Sequence, residues 1–279
     1  MWHLKKIPKI AYFYWGSPMM SYLRFLTIKT FRKWNPDWEI RFYYPKTYYT
    51  GGPVWNQGFA ESVSGIDYRD RISTIDSVKI IEIDFNESEI GHIPDVFRSD
   101  ILRLKWLGSE GGLWSDMDIV YFRPMDDICF NTPHNQNIDT VISYNTVRTH
   151  YSIGFLMACP NNSFYNYLYN QAMQSKKQDG EYQHLGITLW HKHFPLPEHI
   201  NRTFPNLNIY DIQMWLTYSI NSFEVSKIIN ENVPMPDSRT IALHWYGGHP
   251  DCVKLESVLT EKNLNEFNNT LATMIKKAL

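Results

Sequence analysis

This sequence contains few cysteines, and its net charge is small. The three cysteines, Cys129, Cys159 and Cys252, are widely separated, have no metal-binding spacing and cannot all pair with one another. We therefore expect reduced or simply buried thiols rather than a disulfide framework. The formal net charge of −2 argues against a nucleic-acid partner held by general electrostatics.

Long apolar runs are missing too, so we expect no transmembrane segment. The N-terminal residues lack the long apolar core and the small-residue cleavage site of a signal peptide. Both absences predict a cytoplasmic protein. In such a protein, the glycosylation-type triplets that begin at Asn86, Asn161, Asn201 and Asn268 are interpreted as coincidences of an Asn-rich chain.

The rest of the composition is that of a globular protein. Hydrophobic residues make up 43% and charged residues 20% of the 279 positions, which is enough to bury a sizeable core. Aromatic residues reach 15%; most are expected in the core, although carbohydrate and base-stacking sites also use them. Because no repeat, low-complexity segment or clear linker divides the chain, we predict a single domain over residues 1–279.

The order of the predicted elements indicates an α/β fold. Residues 7–16 are typical of a buried strand, residues 19–34 of a helix and residues 39–44 of a second strand, the usual start of a nucleotide-binding α/β layer. A later helix is predicted after a cap at Asn162, and residues 255–279 predict one amphipathic helix. No element is assigned between residues 176 and 206. Further strands are predicted at residues 78–83, 140–144, 153–158, 207–212 and 241–245.

The most informative stretch covers residues 98–127. Apolar residues recur there at helical spacing, Gly108 is predicted to end the helix, and Gly111 with Gly112 predicts a sharp turn. Asp116 and Asp118 follow the turn, and strand formers occupy residues 119–122. The pattern therefore places two carboxylates at the mouth of a strand, close to the preceding helix.

Two carboxylates one residue apart at a turn can hold a hard divalent cation, Mg²⁺ or Mn²⁺, that keeps positions open for phosphate oxygens. The alternative is that Asp116 and Asp118 are ordinary turn residues. Asp-x-Asp arises easily by chance, and turns favour Asp for local reasons.

A longer pattern raises the significance of the acidic pair. Residues 99–103 (SDILR) and 111–118 (GGLWSDMD) resemble the sugar-binding region of the DXD glycosyltransferases. That group includes the Och1-type mannosyltransferases, bacterial capsular-polysaccharide transferases and, more distantly, the large clostridial glucosylating toxins. Arg98 replaces a small residue of the family pattern, and residues 114–115 (WS) replace Tyr-Leu, but every charged position is kept. A compound motif of about twenty residues is far more specific than Asp-x-Asp alone.

The resemblance implies a fold of the GT-A type: one Rossmann-like nucleotide-sugar-binding domain with a mixed central sheet flanked by helices. Its nucleotide-sugar half would cover residues 1–130, its acceptor side residues 131–250, and a C-terminal helix residues 251–279. The implied activity is metal-dependent transfer of a sugar, with retention, from a UDP- or GDP-sugar to a glycan or other hydroxyl acceptor.

The resemblance also implies roles for four charged residues. Asp118 would bind Mn²⁺ or Mg²⁺ directly, and Asp116 would bind it through water or hold ribose and sugar hydroxyls. Asp100 and Arg103 would orient the sugar ring, because a carboxylate accepts from two hydroxyls while a guanidinium donates in a fixed fork. The alternative for Asp100 and Arg103 is an ion pair without a substrate role.

Three further residues are assigned with their alternatives. Trp15 lies where the toxin relatives stack a tryptophan on the donor base, with Tyr14 beside it; the alternative for Trp15 is a core aromatic at the end of a strand. His244 lies in a segment similar to the family's C-terminal His-x-x-x-Ser-Trp region, which implies a metal or phosphate contact. His191 and His193, one residue apart with no carboxylate nearby, are interpreted as ordinary surface or cleft residues.

Two other classes of function remain open. A phosphohydrolase of the Asp-x-Asp type needs its nucleophilic Asp directly after a buried strand, and residues 110–115 do not predict one before Asp116. A non-catalytic carbohydrate-binding module would use the aromatic residues but would leave the charged motif unexplained.

Overall fold

The structure is a computed structural model that describes residues 6–50, 66–86, 88–128, 137–146, 149–176, 181, 183–212, 222–234 and 240–279. Within these residues, the strands are β1 (Ile10–Tyr14), β2 (Glu39–Pro45), β3 (Val78–Ile83), β4 (Gly112–Ser115), β5 (Ile119–Tyr121), β6 (Thr140–Asn145), β7 (His150–Ala158), β8 (Ile209–Asp211) and β9 (Ala242–His244). The helices are α1 (Tyr22–Trp34), α2 (Asp95–Ser109), α3 (Ser163–Ser175), α4 (Ile187–His193), α5 (Pro197–Thr203), α6 (Ser222–Asn230), α7 (Pro250–Val258) and α8 (Thr270–Ala278).

A mixed sheet of seven strands forms the centre, in the order β3-β2-β1-β4-β7-β6-β8. The strands from β3 to β4 run parallel, whereas β7 pairs antiparallel with both β4 and β6. Side chains alternate across β1, so that Ala11 and Phe13 join one hydrophobic core and Tyr12 and Tyr14 join another. A sheet with a core on each face confirms the predicted α/β class.

The strand order locates a crevice at the carboxyl ends of β1 and β4. From β1 the chain moves outward to β2 and β3, then returns through α2 to form β4 on the other side of β1. At such a reversal of strand order, the loops after the two neighbouring parallel strands lead in different directions and leave room for a ligand. Trp15 directly follows β1 and Asp116 directly follows β4.

A second, two-stranded sheet attaches the C-terminal part of the chain to this crevice. Antiparallel pairing of β5 with β9 sets Ile119 opposite His244, and the Trp245 N–H donates to the Asp118 carbonyl at 2.9 Å. The acidic turn between β4 and β5 is therefore connected to the large sheet on one side and to the C-terminal segment on the other.

Local signals in the sequence account for the ends of several helices. Ser21 caps α1 by accepting from the Arg24 N–H, and Asn162 caps α3 by accepting from the Tyr165 N–H. Gly108, however, lies inside α2 rather than ending it, so that prediction is wrong. A Cβ at this position would overlap the Asn166 side chain of α3, which indicates that the glycine serves close helix packing.

The predicted sharp turn after α2 is confirmed: Gly111 and Gly112 have φ values of +69° and +108°, a region that favours glycine. The prediction missed β4, whose four residues are fully buried. It also missed α4 and α5 in the unassigned region, and α6 farther on.

The single C-terminal helix, predicted over residues 255–279 and implied over residues 251–279 by the resemblance, is wrong. Two separate helices, α7 and α8, occupy this part of the chain, and a 3-10 turn (Leu264–Glu266) lies between them. Asparagine side chains provide the physical reason, since they satisfy backbone groups outside a continuous helix. Asn263 accepts from the Thr260 N–H, and Asn269 caps α8 by accepting from the Ala272 N–H.

Across the residues that the structure describes, every helix is too short or too polar to cross a lipid bilayer.

Candidate functional site

A cavity of about 320 Å³ lies at the crevice beyond β1 and β4. Of the seven residues predicted for the site, six line this cavity and so meet in one place: Tyr14, Trp15, Asp100, Arg103, Asp116 and Asp118. His244 is not in the cavity wall but contacts Asp118, with Nε2 3.1 Å from Oδ1.

The two carboxylates of the acidic turn have different surroundings. The Asp116 side chain is 30% exposed and its Oδ1 accepts from Trp114 Nε1 at 2.7 Å. The Asp118 side chain is 12% exposed, and its Oδ2 accepts from the Gly247 N–H at 2.9 Å. Asp118 Oδ1 is buried, and among the described residues it has no hydrogen bond of acceptable geometry, although His244 Nε2 is close.

Asp118 and His244 favour each other's charged forms. Burial opposes ionisation of Asp118, but His244, Arg24 and the Gly247 N–H outweigh it and hold the pKa of the carboxyl well below its usual range. For His244, burial lowers the pKa, and the Asp118 carboxylate overcomes that effect and raises it. The His244 ring also stacks on Tyr246, with centroids 4.0 Å apart, so its orientation is fixed from a second side.

Gly154, on β7, is the point where the acidic turn and His244 approach each other. Its carbonyl accepts from the Asp116 N–H at 2.8 Å. A Cβ on Gly154 would lie 2.9 Å from His244 Cε1 and 3.0 Å from Asp116 Oδ2. Only a residue without a side chain therefore lets the imidazole and the Asp116 carboxylate share this space.

Asp100 and Arg103 are both buried and lie on the face of α2 that contributes to the cavity wall. Arg103 Nη2 is 3.4 Å from Asp100 Oδ1 and donates to Asp116 Oδ1 at 3.1 Å. Asp100 and Arg103 are therefore neighbours on α2, and Arg103 also connects α2 to the acidic turn.

The burial of this pair has two electrostatic consequences. Burial raises the pKa of Asp100 to about 7, with Arg103 opposing the shift and Asp116 adding to it. In Arg103, Nε and Nη1 are buried without a hydrogen-bond partner among the described residues. Unpaired buried donors are costly, so a ligand oxygen that reached them would be bound favourably.

Tyr14 and Trp15 contribute to the cavity wall from the end of β1. Tyr14 donates its hydroxyl hydrogen to Asp95 Oδ1 at 2.7 Å. Trp15 is only 3% exposed, donates from Nε1 to the Met19 carbonyl at 2.7 Å, and has the Arg24 guanidinium 4.9 Å from its ring centroid. Trp15 therefore belongs to the core and to the cavity wall at once, so the two interpretations of this residue do not exclude each other.

The residues present fit a divalent cation held jointly by protein and ligand. Nowhere in the described ranges do three or more His, Cys, Asp or Glu side chains form a group placed to hold a metal ion. Mg²⁺ and comparable hard cations typically take one or two carboxylates, with substrate phosphates and water completing the shell. Asp118 Oδ1 is buried and has no hydrogen bond among the described residues. Together with the His244 imidazole and the Asp116 carboxylate, it provides such a partial set of ligands.

The cavity wall also contains residues that sequence reasoning did not assign to the site, among them Arg24, Asp95 and Gln183. Arg24 lies on α1, and a charged side chain on a helix is ordinarily assigned to solvent. Gln183, with φ of +72°, precedes α4 in a region without a recognised pattern. Arg24 carries no local signal, because its partner Glu256 lies in a remote part of the chain. Asp95 pairs with the nearby Arg98, but its contact with Tyr14 also joins remote parts of the chain.

His191 and His193 lie on α4, outside the cavity wall. His193 Nδ1 is 3.0 Å from the Tyr167 hydroxyl, and the His191 ring packs 5.2 Å from the Tyr151 ring. Their interpretation as ordinary surface or cleft residues, rather than metal ligands, agrees with these contacts.

Comparison with known proteins finds no matching family model and no matching curated sequence. Among solved structures, the chain is similar to the PaToxG glycosyltransferase, with 18% identity, a TM-score of 0.44, and coverage of 72% of this chain and 74% of that one. It is also similar to the glycosyltransferase GlyE of Streptococcus pneumoniae TIGR4, with 12% identity and a TM-score of 0.48, covering 98% of this chain but only 60% of GlyE.

A third similar structure is the galactosyltransferase LgtC in complex with donor and acceptor sugar analogs, with 11% identity, a TM-score of 0.44, and coverage of 92% of this chain and 100% of that one. With TM-scores below 0.5, these likenesses carry no argument about the reaction. That argument comes from the side chains of the cavity.

Proposed function

We propose that this protein is a metal-dependent glycosyltransferase of the GT-A type that moves a sugar from a nucleoside-diphosphate sugar to a glycan or other hydroxyl acceptor. The observation that carries the proposal is the convergence of the whole predicted motif on one cavity. Asp100 and Arg103 of α2 meet Asp116 and Asp118 of the acidic turn there, and His244 arrives beside Asp118 from the C-terminal segment.

The reaction breaks the bond between the sugar's anomeric carbon and a diphosphate oxygen, and the diphosphate departs with an additional negative charge. A bound Mn²⁺ or Mg²⁺ would supply Lewis-acid stabilisation of that charge. Asp118 and His244, the latter as a neutral imidazole that has given up its proton to make room for the cation, would hold the ion, with Asp116 as a water-mediated or direct partner. Because these groups are already fixed by β4, β5 and β9, little reorganisation is needed when charge develops.

At the sugar end, Asp100 and Arg103 would orient the ring. Arg103 is held by Asp116 through Nη2, and the donors on Nε and Nη1 remain for sugar oxygens. Asp100, with its pKa raised to about 7, can be protonated near neutral pH and can then both donate to and accept from hydroxyls. Fixing the ring in this way contributes to catalysis because it holds the anomeric carbon in position for attack.

At the nucleotide end, Tyr14 and Trp15 would bind the base of a UDP- or GDP-sugar. The Trp15 ring contributes to the cavity wall, and an indole face can stack on either base. Retention of the anomeric configuration is part of the proposal and is supported by the resemblance of the motif alone.

The phosphohydrolase alternative needs a correction. Its premise, that no buried strand precedes Asp116, is wrong, because β4 is a fully buried strand that ends at Ser115. What disfavours it instead is the condition of Asp116. Its Oδ1 already accepts from both Arg103 and Trp114, and engagement of this kind reduces the nucleophilicity of a carboxylate.

A donor-hydrolysis assay with a panel of UDP- and GDP-sugars, with and without Mn²⁺, tests the proposal. Metal-dependent release of a nucleoside diphosphate from at least one donor is the expected result. Release of inorganic phosphate from simple phosphate esters would instead support the phosphohydrolase, and sugar binding without any turnover would support a carbohydrate-binding module.

A further inference from the structure

Arg24 is a buried cation beside the candidate site. It lies on α1, is 5% exposed, and contributes to the cavity wall. A buried charge is costly unless it is paired and hydrogen-bonded. Glu256 of α7 provides that pairing: Arg24 Nε donates to Oε1 at 2.7 Å and Nη2 to Oε2 at 3.4 Å.

Glu256, which pairs with Arg24, is itself held in place. The Glu256 side chain is fully buried, and its Oε1 also accepts from the Ser21 hydroxyl at 2.6 Å. Ser21 is the residue that caps α1. The Arg24–Glu256 pair therefore holds the start of α1 against α7.

Two indole rings determine where the guanidinium lies. Its Cζ is 4.9 Å from the centroid of the Trp15 ring and 4.6 Å from that of the Trp245 ring. Such contacts favour a planar guanidinium over an ammonium group. Gly247 completes the enclosure, since a Cβ there would overlap Arg24 Nη2.

Arg24 and Gly247 approach the same oxygen of Asp118. The Gly247 N–H donates to Asp118 Oδ2 at 2.9 Å, and Arg24 Nη1 is 3.9 Å from that oxygen. The other oxygen, Oδ1, is the one near His244 that lacks a hydrogen bond among the described residues. One side of the carboxylate is thus held while the opposite side is left for a ligand.

We infer that Arg24 is a positioning residue for Asp118: anchored by Glu256 and enclosed by Trp15 and Trp245, it orients the carboxylate so that Oδ1 is presented as the ligand atom. This inference rests on the metal site of the proposed function. It gives Arg24 of α1 and Glu256 of α7 a part in cation binding, although neither helix carries a residue of the motif.

A purely structural role for Arg24 would give the same burial and the same pairing with Glu256, but it makes a different prediction for Arg24→Lys. That variant keeps the positive charge but loses the planar guanidinium group and its forked N–H donors. If Arg24 only stabilises the fold, the variant lowers the melting temperature and leaves Mn²⁺ affinity unchanged. If Arg24 orients Asp118, Mn²⁺ affinity falls even under conditions where the variant is fully folded.

The test measures Mn²⁺ binding by electron paramagnetic resonance in the absence of any sugar nucleotide. Arg24→Lys is expected to weaken Mn²⁺ binding by about 10- to 100-fold, as is typical when an outer partner of a metal ligand is lost. Arg32→Lys is the matched control, since Arg32 lies on the same helix but donates to carbonyls of Asn35, Pro36 and Ser77. It should bind Mn²⁺ as the wild type does.

A second variant addresses folding directly. Arg24→Ala leaves a cavity between the two indoles, and added guanidinium ion is expected to restore part of its Mn²⁺ affinity, whereas added ammonium ion is not. If Arg24→Ala does not fold, Arg24→Lys decides alone. Wild-type Mn²⁺ affinity in folded Arg24→Lys would overturn the inference, and so would a wild-type protein that binds no Mn²⁺.

The outcomes also separate this inference from the proposed function. Weak Mn²⁺ binding by Arg24→Lys, in a protein whose wild type turns over no sugar nucleotide, would support the positioning role and overturn the proposed transferase. Normal Mn²⁺ binding by Arg24→Lys, together with metal-dependent donor turnover by the wild type, would overturn the positioning role alone.

Discussion

His244 Nε2 lies 3.1 Å from Asp118 Oδ1, although one residue belongs to the acidic turn after β4 and the other to the C-terminal segment. The pairing of β5 with β9 creates this contact, since it sets Ile119, next to Asp118, opposite His244. The site is therefore not a property of the motif region alone. It is complete only when the C-terminal segment has folded onto the acidic turn.

Asp118→Asn should remove metal-dependent turnover while the fold is retained. The amide oxygen can still accept from the Gly247 N–H, and Arg24 keeps Glu256 as its partner, but the charge that would bind the cation is lost. We expect kcat to fall by about 100-fold or more. Asp126→Asn, at an exposed carboxylate that pairs with Lys9, is the control. Near-normal Mn²⁺-dependent turnover in Asp118→Asn would contradict the assignment.

Whether the Trp15 ring stacks on the donor base can be tested with variants that keep or remove an aromatic ring at this position. Trp15→Phe and Trp15→Leu both lose the hydrogen bond from Nε1 to the Met19 carbonyl, but only Trp15→Phe keeps a ring. If the ring stacks on the donor base, Trp15→Leu should bind free UDP or GDP about 1–3 kcal/mol more weakly, and Trp15→Phe should lose less. Calorimetry provides the measurement. Equal affinities in both variants and the wild type would leave Trp15 with its core role only.

Gly154→Ala should lower the Mn²⁺ affinity strongly and the free energy of unfolding only slightly. The new methyl group would press on His244 Cε1 and Asp116 Oδ2, 2.9 and 3.0 Å from its position, and would displace both groups. A displacement of this kind typically costs about 10- to 100-fold in metal affinity.

Gly108→Ala is the control for this substitution. It disturbs the packing of α2 on α3 at a residue outside the cavity wall, and it should lower the melting temperature without changing Mn²⁺ binding. Identical Mn²⁺ affinities in Gly154→Ala and the wild type would show that the space at Gly154 is not needed by the site.

The buried carboxyl of Asp100 predicts a pH dependence of stability. Its pKa is raised to about 7 in the folded protein, compared with about 3.9 for an Asp in an unfolded chain. As pH rises from about 4 to about 7, the unfolded chain loses this proton and the folded protein keeps it, so the contribution of Asp100 to the free energy of unfolding falls. The fall amounts to about 4 kcal/mol at most.

Urea unfolding of the wild type and of Asp100→Asn across this pH range provides the measurement. The free energy of unfolding of the wild type, relative to that of Asp100→Asn, should decrease as pH rises through the window and level off above it. A difference that does not vary with pH would mean that Asp100 is not buried as the structure has it.

The features that could be predicted from the sequence are those with a local cause. The helix after Asn162 was predicted because a cap and an apolar periodicity are contained within a few residues. Val78–Ile83 was predicted with its observed bounds because β-branched strand formers dominate these six residues. By contrast, β4 was missed, because its four residues include a glycine and a serine and owe their strand conformation to pairing with β1 and β7.

The C-terminal helix shows the opposite error. Its amphipathic pattern continues past the end of α7, so periodicity alone favours one helix over residues 255–279. The Asn263 side chain, which accepts from the Thr260 N–H, and the cap at Asn269 divide it. Such caps compete with the helix through single hydrogen bonds that a count of apolar residues does not register.

By itself, the sequence determined the α/β order of elements and the identity of the charged residues that define the candidate site: Asp100, Arg103, Asp116 and Asp118. Only the tertiary structure decided which oxygen of Asp118 accepts from the Gly247 N–H, which oxygen lies near His244, and that Arg24 of α1 approaches the same oxygen as Gly247. The physical reason is distance along the chain. Contacts made by strand pairing and by burial join residues that are remote in the chain, so no local sequence pattern predicts them. Turns, caps and periodicities, by contrast, involve only neighbouring residues and can be recognised in the sequence.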